Sequence, residues 1–231
     1  MKIIAIIPAR GGSKRIPLKN LIMLGDKPLL AYPIMLSKSI DIIDRVIVSS
    51  DHKEIIDKAL EFGAEAPFVR PAEISDNLPC EFVTEHAIRF LIEQENYTPD
   101  IVITLTPATP FTQKEELKKA IDLLCDHDDW DSVISVRKAN EFPEWLVKYK
   151  PGEPVTTYLG NPLDGKYNVS QNLIRYHYPA GAFFVNRVKS FLKRPSLYGD
   201  KWGALELDPE THVDIDEPID LEYAKILLKR I

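Results

Sequence analysis

The chain predicts an α/β fold, layered around one mainly parallel sheet. Three observations carry that prediction. Short apolar runs of strand length alternate with helical stretches on short connections. The loops 8–20, 70–79 and 106–112 all emerge at the carboxyl ends of strands, where sheets of this kind hold their ligands. A length of 231 residues, 45% hydrophobic and 28% charged, suits one sizeable core and hence a single domain over 1–231.

The elements follow in order. Ile3 to Ile7 reads as a buried first strand, stopped at Pro8. Lys27-Pro28-Leu29-Leu30 opens a helix through about Ser39, with Pro33 predicting a kink. Asp44 to Asp51 is the second strand. Asp51 either caps the helix His52–Glu61 or stands near a ligand. Ala66 to Val69 is a short extended piece, followed by a loop through Asp76-Asn77. Cys80 to Glu95 is a helix with Phe82, Val83, Ala87, Phe90 and Leu91 on one face; His86 on it reads as structural. Asp100 to Leu105 is the third strand. It enters a rigid loop, Thr106 to Phe111, held by two prolines and carrying hydroxyls. A helix from Glu115 to Cys125 and a strand from Asp131 to Val136 follow.

The pattern then breaks. Residues 140–180 are rich in Pro, Tyr, Asn and Gly, and so long a stretch without structure of its own is unusual. It reads as an excursion with short strands that packs on something else. The sheet resumes at Gly181 to Asn186, and a last helix runs from Asp220 to about Arg230.

Composition excludes several classes. A net charge of −6 argues against a non-specific nucleic-acid binder. No apolar run reaches the roughly 20 residues that span a membrane, and the first residues lack a cleavage-site pattern. Cys80 and Cys125 offer neither a disulfide framework nor zinc spacing, and the histidines are scattered. A cytoplasmic enzyme is the simplest class.

Two stretches carry chemistry. The loop after the first strand holds Gly11 and Gly12 with four cations, Arg10, Lys14, Arg15 and Lys19. Glycines let backbone N–H groups approach a ligand, and the cations suit a polyanion, most simply a triphosphate; a solvated basic loop is the plainer reading. The loop is neither a Walker A sequence nor a Rossmann fingerprint. Near the end, Asp214 and Asp216 alternate on an extended stretch, so they share a face. A divalent cation would relieve their mutual repulsion; capping or pairing with the loop cations is the alternative.

Ile7 to Asn20 resembles the motif I-P-A-R-G-G-S-K-x-[IL]-x-x-K-N, and Asp214 to Leu221 matches D-I-D-x-P-x-D-L. Both are signatures of the cytidylyltransferases that activate sialic acid and related nonulosonic acids. The resemblance covers most of the chain and implies a three-layer nucleotidyltransferase fold. It implies that the first loop wraps the CTP phosphates through Arg10, Gly12, Ser13, Lys19 and Asn20, with Ala9 and Gly11 beside them. Arg10, Lys19 and Asp214 are then the catalytic candidates, and Asp214 and Asp216 the metal ligands, for magnesium or alternatively manganese.

The same resemblance makes Arg70 a nucleotide contact, against a surface salt bridge as the plainer reading. Family members carry L-Q-P-T-S-P-L-R where this chain keeps both prolines and Thr109 but has Thr106, Ala108 and Thr112. They carry N-G-A-[IF]-Y where this chain has Ala180-Gly181-Ala182-Phe183-Phe184. Thr106, Thr109, Phe183 and Phe184 are expected at the substrate. The resemblance implies that 140–180 swaps onto a partner subunit in a homodimer and completes its sugar pocket. Lys148, Gln171, Asn172, Arg175 and Tyr176 are the candidate contacts there, against an exposed or structural role for each as the plainer reading.

The implied reaction is attack by the anomeric hydroxyl of a nine-carbon sugar acid on the α-phosphorus of CTP, releasing pyrophosphate. No residue stands out as a general base. Loss of the amides at Thr106 and Ala180 predicts that N-acetylneuraminic acid is a poor substrate and an altered nonulosonate a better one. The alternatives are a 3-deoxy-manno-octulosonate cytidylyltransferase and a catalytically silent nucleotide-binding protein.

Overall fold

The computed structural model describes residues 1–13, 15–75 and 78–230. The expectations for Lys14, Asp76 and Asn77 lie outside these described residues. The central sheet has strands β1 (Ile3–Pro8), β2 (Arg45–Ser49), β3 (Ile101–Leu105), β4 (Ser132–Lys138), β5 (His177–Arg187) and β6 (Trp202–Glu206). Its order is β6-β4-β5-β3-β1-β2. β5 runs antiparallel to both its neighbours, and every other pairing in this sheet is parallel. Apolar β1 lies between two partners, with Ile6 opposite Ile47 on one side and Thr104 on the other. A strand covered on both faces needs such an unbroken apolar run.

Helices α1 (Ala31–Lys38), α2 (Lys53–Glu61) and α4 (Lys114–Cys125) cover one face. Ile34, Ile55, Leu117 and Leu124 meet Ala5, Val48 and Ile103 there. Helices α3 (Cys80–Glu95) and α5 (Val188–Lys193) cover the other, where Ile88, Leu91 and Phe191 meet Ile4, Ile6 and Val102. Helix α6 (Pro218–Leu228) forms a third, smaller core. In it Ile16 from the first loop and Val213 and Ile215 from the acidic stretch pack with Phe111, Ala224 and Leu227. Each buried aliphatic side chain there contributes roughly 1.5–3 kcal/mol. That third core joins the basic loop to the acidic stretch, though the two stand at opposite ends of the sequence.

Several boundaries differ from expectation. Helix α1 begins at Ala31, because Lys27-Pro28 pairs with Met23-Leu24 in a tight hairpin. Pro33 then falls in the first turn, where a missing N–H leaves no helical bond unmade. Residues 66–69 form no strand; the pairing nearest them is a bridge from Glu65 to Ile47. Asp51 does not cap α2, whose N-cap is His52. β5 starts at His177, earlier than expected, while α5 and β6 have no counterpart among the expected elements. Within 140–180 the structure has short 3-10 turns and a two-residue-per-strand hairpin, Val147–Lys148 with Thr156–Thr157.

Candidate active site

A cleft of about 480 Å³ opens at the carboxyl ends of β1 and β3. The first loop supplies Arg10, Ser13, Arg15, Lys19 and Asn20, the loop after β3 supplies Thr106 and Ala108, and the acidic stretch supplies Asp216. A second hollow of about 230 Å³ shares Pro8 and Arg10 with it and is otherwise walled by Arg70, Ile74, Ser75, Leu78, Cys80 and Val83. Arg10 therefore stands between two adjoining spaces.

The loop is held from beneath. Gly11 donates its N–H to Asp51 at 2.9 Å. A Cβ at Gly11 would stand 2.9 Å from the His52 side chain, so a larger residue would have to displace that ring. Buried Asn20 donates from its amide to the Arg10 carbonyl at 2.9 Å and closes the loop on itself. Leu18 occupies the left-handed region with φ of 49°, a strained state for a branched residue, and the turn it makes delivers Lys19. The Lys19 ammonium donates to the Ile215 carbonyl at 2.7 Å and to Asp216 at 3.1 Å. Arg15 approaches Asp216 at 3.7 Å and Glu217 at 3.2 Å. The acidic stretch is anchored too, by the Ile215 N–H donating to the Ala108 carbonyl at 2.9 Å.

Asp214 differs from Asp216. It is half-buried, and burial raises its carboxyl above the ordinary value, with the Asp216 charge adding to the effect and Lys19 and Arg137 opposing it. It does not line the cleft, whereas Asp216 does. Nearby His212 is pushed down to about 4 by burial and by Arg137, so it is neutral at neutral pH. Arg70 is 5% exposed and donates to the Ser49 carbonyl at 2.8 Å, while its Nε finds no acceptor among the described residues. Burial lowers its pKa, with Asp51 acting against the shift. This buried arginine is no surface salt bridge.

The structure thus brings Arg10, Ser13, Lys19, Asn20, Thr106 and Asp216 together, with Arg70 next door. Others stand elsewhere. Ala9 is buried in the core, its N–H donating to the Ser49 carbonyl. Thr109 is buried behind the cleft and bonds to the Thr106 carbonyl at 3.2 Å. Gly12 is exposed on the loop. Phe183 and Phe184 must be corrected: they are 0% and 8% exposed and pack in the cores on opposite faces of the sheet. Alternation along β5 forces that placement, and neither reaches the cleft. Gln171 is exposed on the excursion, and Arg175 stacks over Phe142 at 4.3 Å; neither lines the cleft. Ala108 and Cys80 escape a reading of the sequence as site residues.

The fold and the cleft define a nucleotidyltransferase-type protein, with a glycine-rich basic loop after the first strand facing a carboxylate stretch. Residues 4–229 match the cytidylyltransferase family, and the chain belongs to it. It is 36% identical to a pseudaminic acid cytidylyltransferase of Campylobacter jejuni, over 99% of this chain and 97% of the relative. It is 29% identical to a CMP-N,N'-diacetyllegionaminic acid synthase of Legionella pneumophila, over 99% and 97%. An N-acylneuraminate cytidylyltransferase of Escherichia coli is 32% identical over 96% of this chain and 51% of the relative. Among solved structures, a CMP:2-keto-3-deoxy-manno-octonic acid synthetase complexed with CTP superposes with a TM-score of 0.71 at 15% identity, covering 100% and 99% of the two chains. That likeness shows the shared fold.

Proposed function

We propose that this enzyme transfers the cytidylyl group of CTP to the anomeric hydroxyl of a nonulosonic acid, forming the CMP-sugar and pyrophosphate. The observation that carries the reading is the cleft in which Lys19 links the glycine loop to the acidic stretch, in a chain of this family. Arg10, Ser13 and Lys19 present donors toward one space, as a polyphosphate requires. The adjoining hollow beside Arg70 and Cys80 has the smaller, less charged lining that suits a base. Little covalent work falls to the protein: it aligns the attacking oxygen with the phosphorus and offsets the charge that develops.

A divalent metal would be held at Asp214 and Asp216. The half-buried carboxylate of Asp214 has a raised pKa and Asp216 for a neighbour, a conflict that a cation resolves. Asp216 lines the cleft but is engaged by Lys19 and Arg15, and Asp214 stands behind it, so the two carboxylates would hold the ion together. Among the described residues no cluster of three acidic, histidine or cysteine side chains could hold an ion. Phosphate oxygens and water would complete the shell, which is the habit of magnesium. Bound there, the metal would neutralise phosphate charge during transfer.

The 36%-identical full-length relative named for pseudaminic acid supports an altered nonulosonate. Thr106 and Ala180 point the same way, since neither carries an amide. The excursion exposes Tyr149, Val155, Tyr158, Leu159 and Ile174, apolar surface that a second copy of the chain would cover in a homodimer. No helix of the described residues is long and apolar enough to cross a membrane. CTP as co-substrate suits a cytoplasmic site of action, supplying sugars for surface polysaccharides. Pyrophosphate release from CTP across a panel of nonulosonic acids tests the reading. Specificity constants should favour the altered sugars, and a clear preference for N-acetylneuraminic acid or for 3-deoxy-manno-octulosonate would overturn it.

A further inference from the structure

Asp51 follows β2 and is exposed, beside a basic loop that faces the cleft. A carboxylate there calls for a reason, since it repels the polyanion the loop is read to hold. Capping does not supply one. The N-cap of α2 is His52, whose N–H donates to the Ser50 hydroxyl at 3.1 Å. Nor does Asp51 line the cleft or the hollow beside Arg70.

The bonds of the loop supply the reason. One peptide group, between Arg10 and Gly11, is held at both ends. Its carbonyl accepts the Asn20 amide at 2.9 Å, and its N–H donates to Asp51 Oδ1 at 2.9 Å. A peptide is a rigid plane, so two such bonds fix its orientation. Glycine would otherwise turn freely here, and the His52 side chain leaves no room for a Cβ that would restrict it. The residue aimed by this plane is Arg10, which stands between the cleft and the hollow. The Gly11 N–H is engaged by the protein, so Arg10, Ser13 and Lys19 are left to meet phosphate.

The same strand exit steadies Arg70. The Ser49 carbonyl accepts the Ala9 N–H at 2.9 Å and the Arg70 guanidinium at 2.8 Å, and the Ser50 carbonyl accepts the Arg70 N–H at 2.8 Å. Residues 49, 50 and 51 thus anchor the start of the first loop and the arginine of the adjoining hollow in succession.

We propose that Asp51 is a positioning residue for cytidylyl transfer. From outside the cleft it clamps the Arg10–Gly11 peptide so that Arg10 faces the polyphosphate; this rests on the cytidylyltransferase reading above. A carboxylate suits the task because its bond to a backbone N–H is charge-assisted.

The test is a double-mutant cycle on kcat/KM for CTP, with wild type, Asp51→Ala, Arg10→Ala and the two together. Asp51→Ala alone should lose about 10- to 100-fold, the range for hydrogen bonds to charged groups. In the Arg10→Ala background no guanidinium is left to aim, and the same change should cost no more than about twofold. Asp51→Asn keeps the acceptor oxygen and should recover most of the loss. Asp51→Ser is too short to reach Gly11 from the same backbone and takes the place of the alanine variant if that one does not fold. Equal losses from Asp51→Ala in both backgrounds would make Asp51 a general support of the fold and overturn the proposal. An asparagine variant as slow as the alanine one would overturn it too, because the charge rather than the clamp would then matter. So would an Asp51→Ala enzyme at the wild-type rate. A wild type that releases no pyrophosphate from CTP with any sugar acid would instead overturn the underlying reading.

Discussion

Asp214 is a burden on the fold at neutral pH. Its carboxyl is raised above the ordinary 3.8, first by burial and then by Asp216. The folded chain therefore holds this proton more tightly than the unfolded chain. The residue's contribution to stability is full below about 3.8 and is lost as the pH rises through the folded value. At neutral pH the ionised group is a burden. Asp214→Asn in metal-free buffer should melt above the wild type at neutral pH, with the gap closing as the pH falls toward that value, and should be nearly inactive. A lower melting temperature at neutral pH would show that Asp214 serves the fold rather than the reaction. Single residues are legible in the sequence where a motif carries them: Arg10, Lys19, Asn20 and Asp216, from the two signatures of the resemblance, line one cleft. They are hidden where strand alternation decides the direction of a side chain. Phe183 and Phe184 look like site aromatics in a string of letters, but the ladders of β5 turn them into the cores.

Among the elements, the start of α6 governs how the acidic stretch is held. Asp220 accepts the N–H of Glu217 at 2.7 Å and that of Asp216 at 3.0 Å, within a capping box made with Glu217. Asp220→Ala should cost about 0.5–2 kcal/mol, lowering Tm by about 2–4 °C per kcal/mol. It should also raise the KM for CTP, because Asp216 would no longer be fixed against Lys19. Unchanged KM with lowered Tm would separate the cap from the site. The strands that are easy to read are those sealed on both faces, β1, β2 and β3, with their unbroken apolar runs. β6 escapes because Gly203 interrupts its pattern. A Cβ at that position would lie 1.8 Å from the Trp130 ring, so the glycine is a packing requirement and not a break. The hairpin at Lys27-Pro28 reads as helix because proline suits a helix start as well as an edge pairing.

At the largest scale the question is assembly. The excursion leaves and rejoins the sheet at neighbouring points, since the Ala139 N–H donates to the Tyr176 carbonyl at 2.9 Å. Its Tyr149 and Ile174 are 73% and 67% exposed, part of more apolar surface than a solitary loop would carry without a partner. Light scattering at micromolar concentration should give a dimer. Replacing residues 146–174 by a short Gly-Ser linker should give a folded monomer that binds CTP and has lost the sugar. A monomeric wild type with full activity would contradict the dimer. The excursion is legible as a departure from the α/β alternation, but its internal turns are not, because they carry neither period.

The proposed mechanism turns on the first loop gripping the phosphates during cytidylyl transfer. The rate of pyrophosphate release from CTP and the preferred nonulosonic acid, in Arg10→Ala and Lys19→Ala, tests this grip. Removing a charge-assisted donor from a phosphoryl group costs on the order of 2–4 kcal/mol of transition-state stabilisation. Each variant should therefore turn over about 30- to 1000-fold more slowly while melting within a few degrees of the wild type. If both variants release pyrophosphate at the wild-type rate, the loop does not hold the phosphates and the proposed mechanism fails.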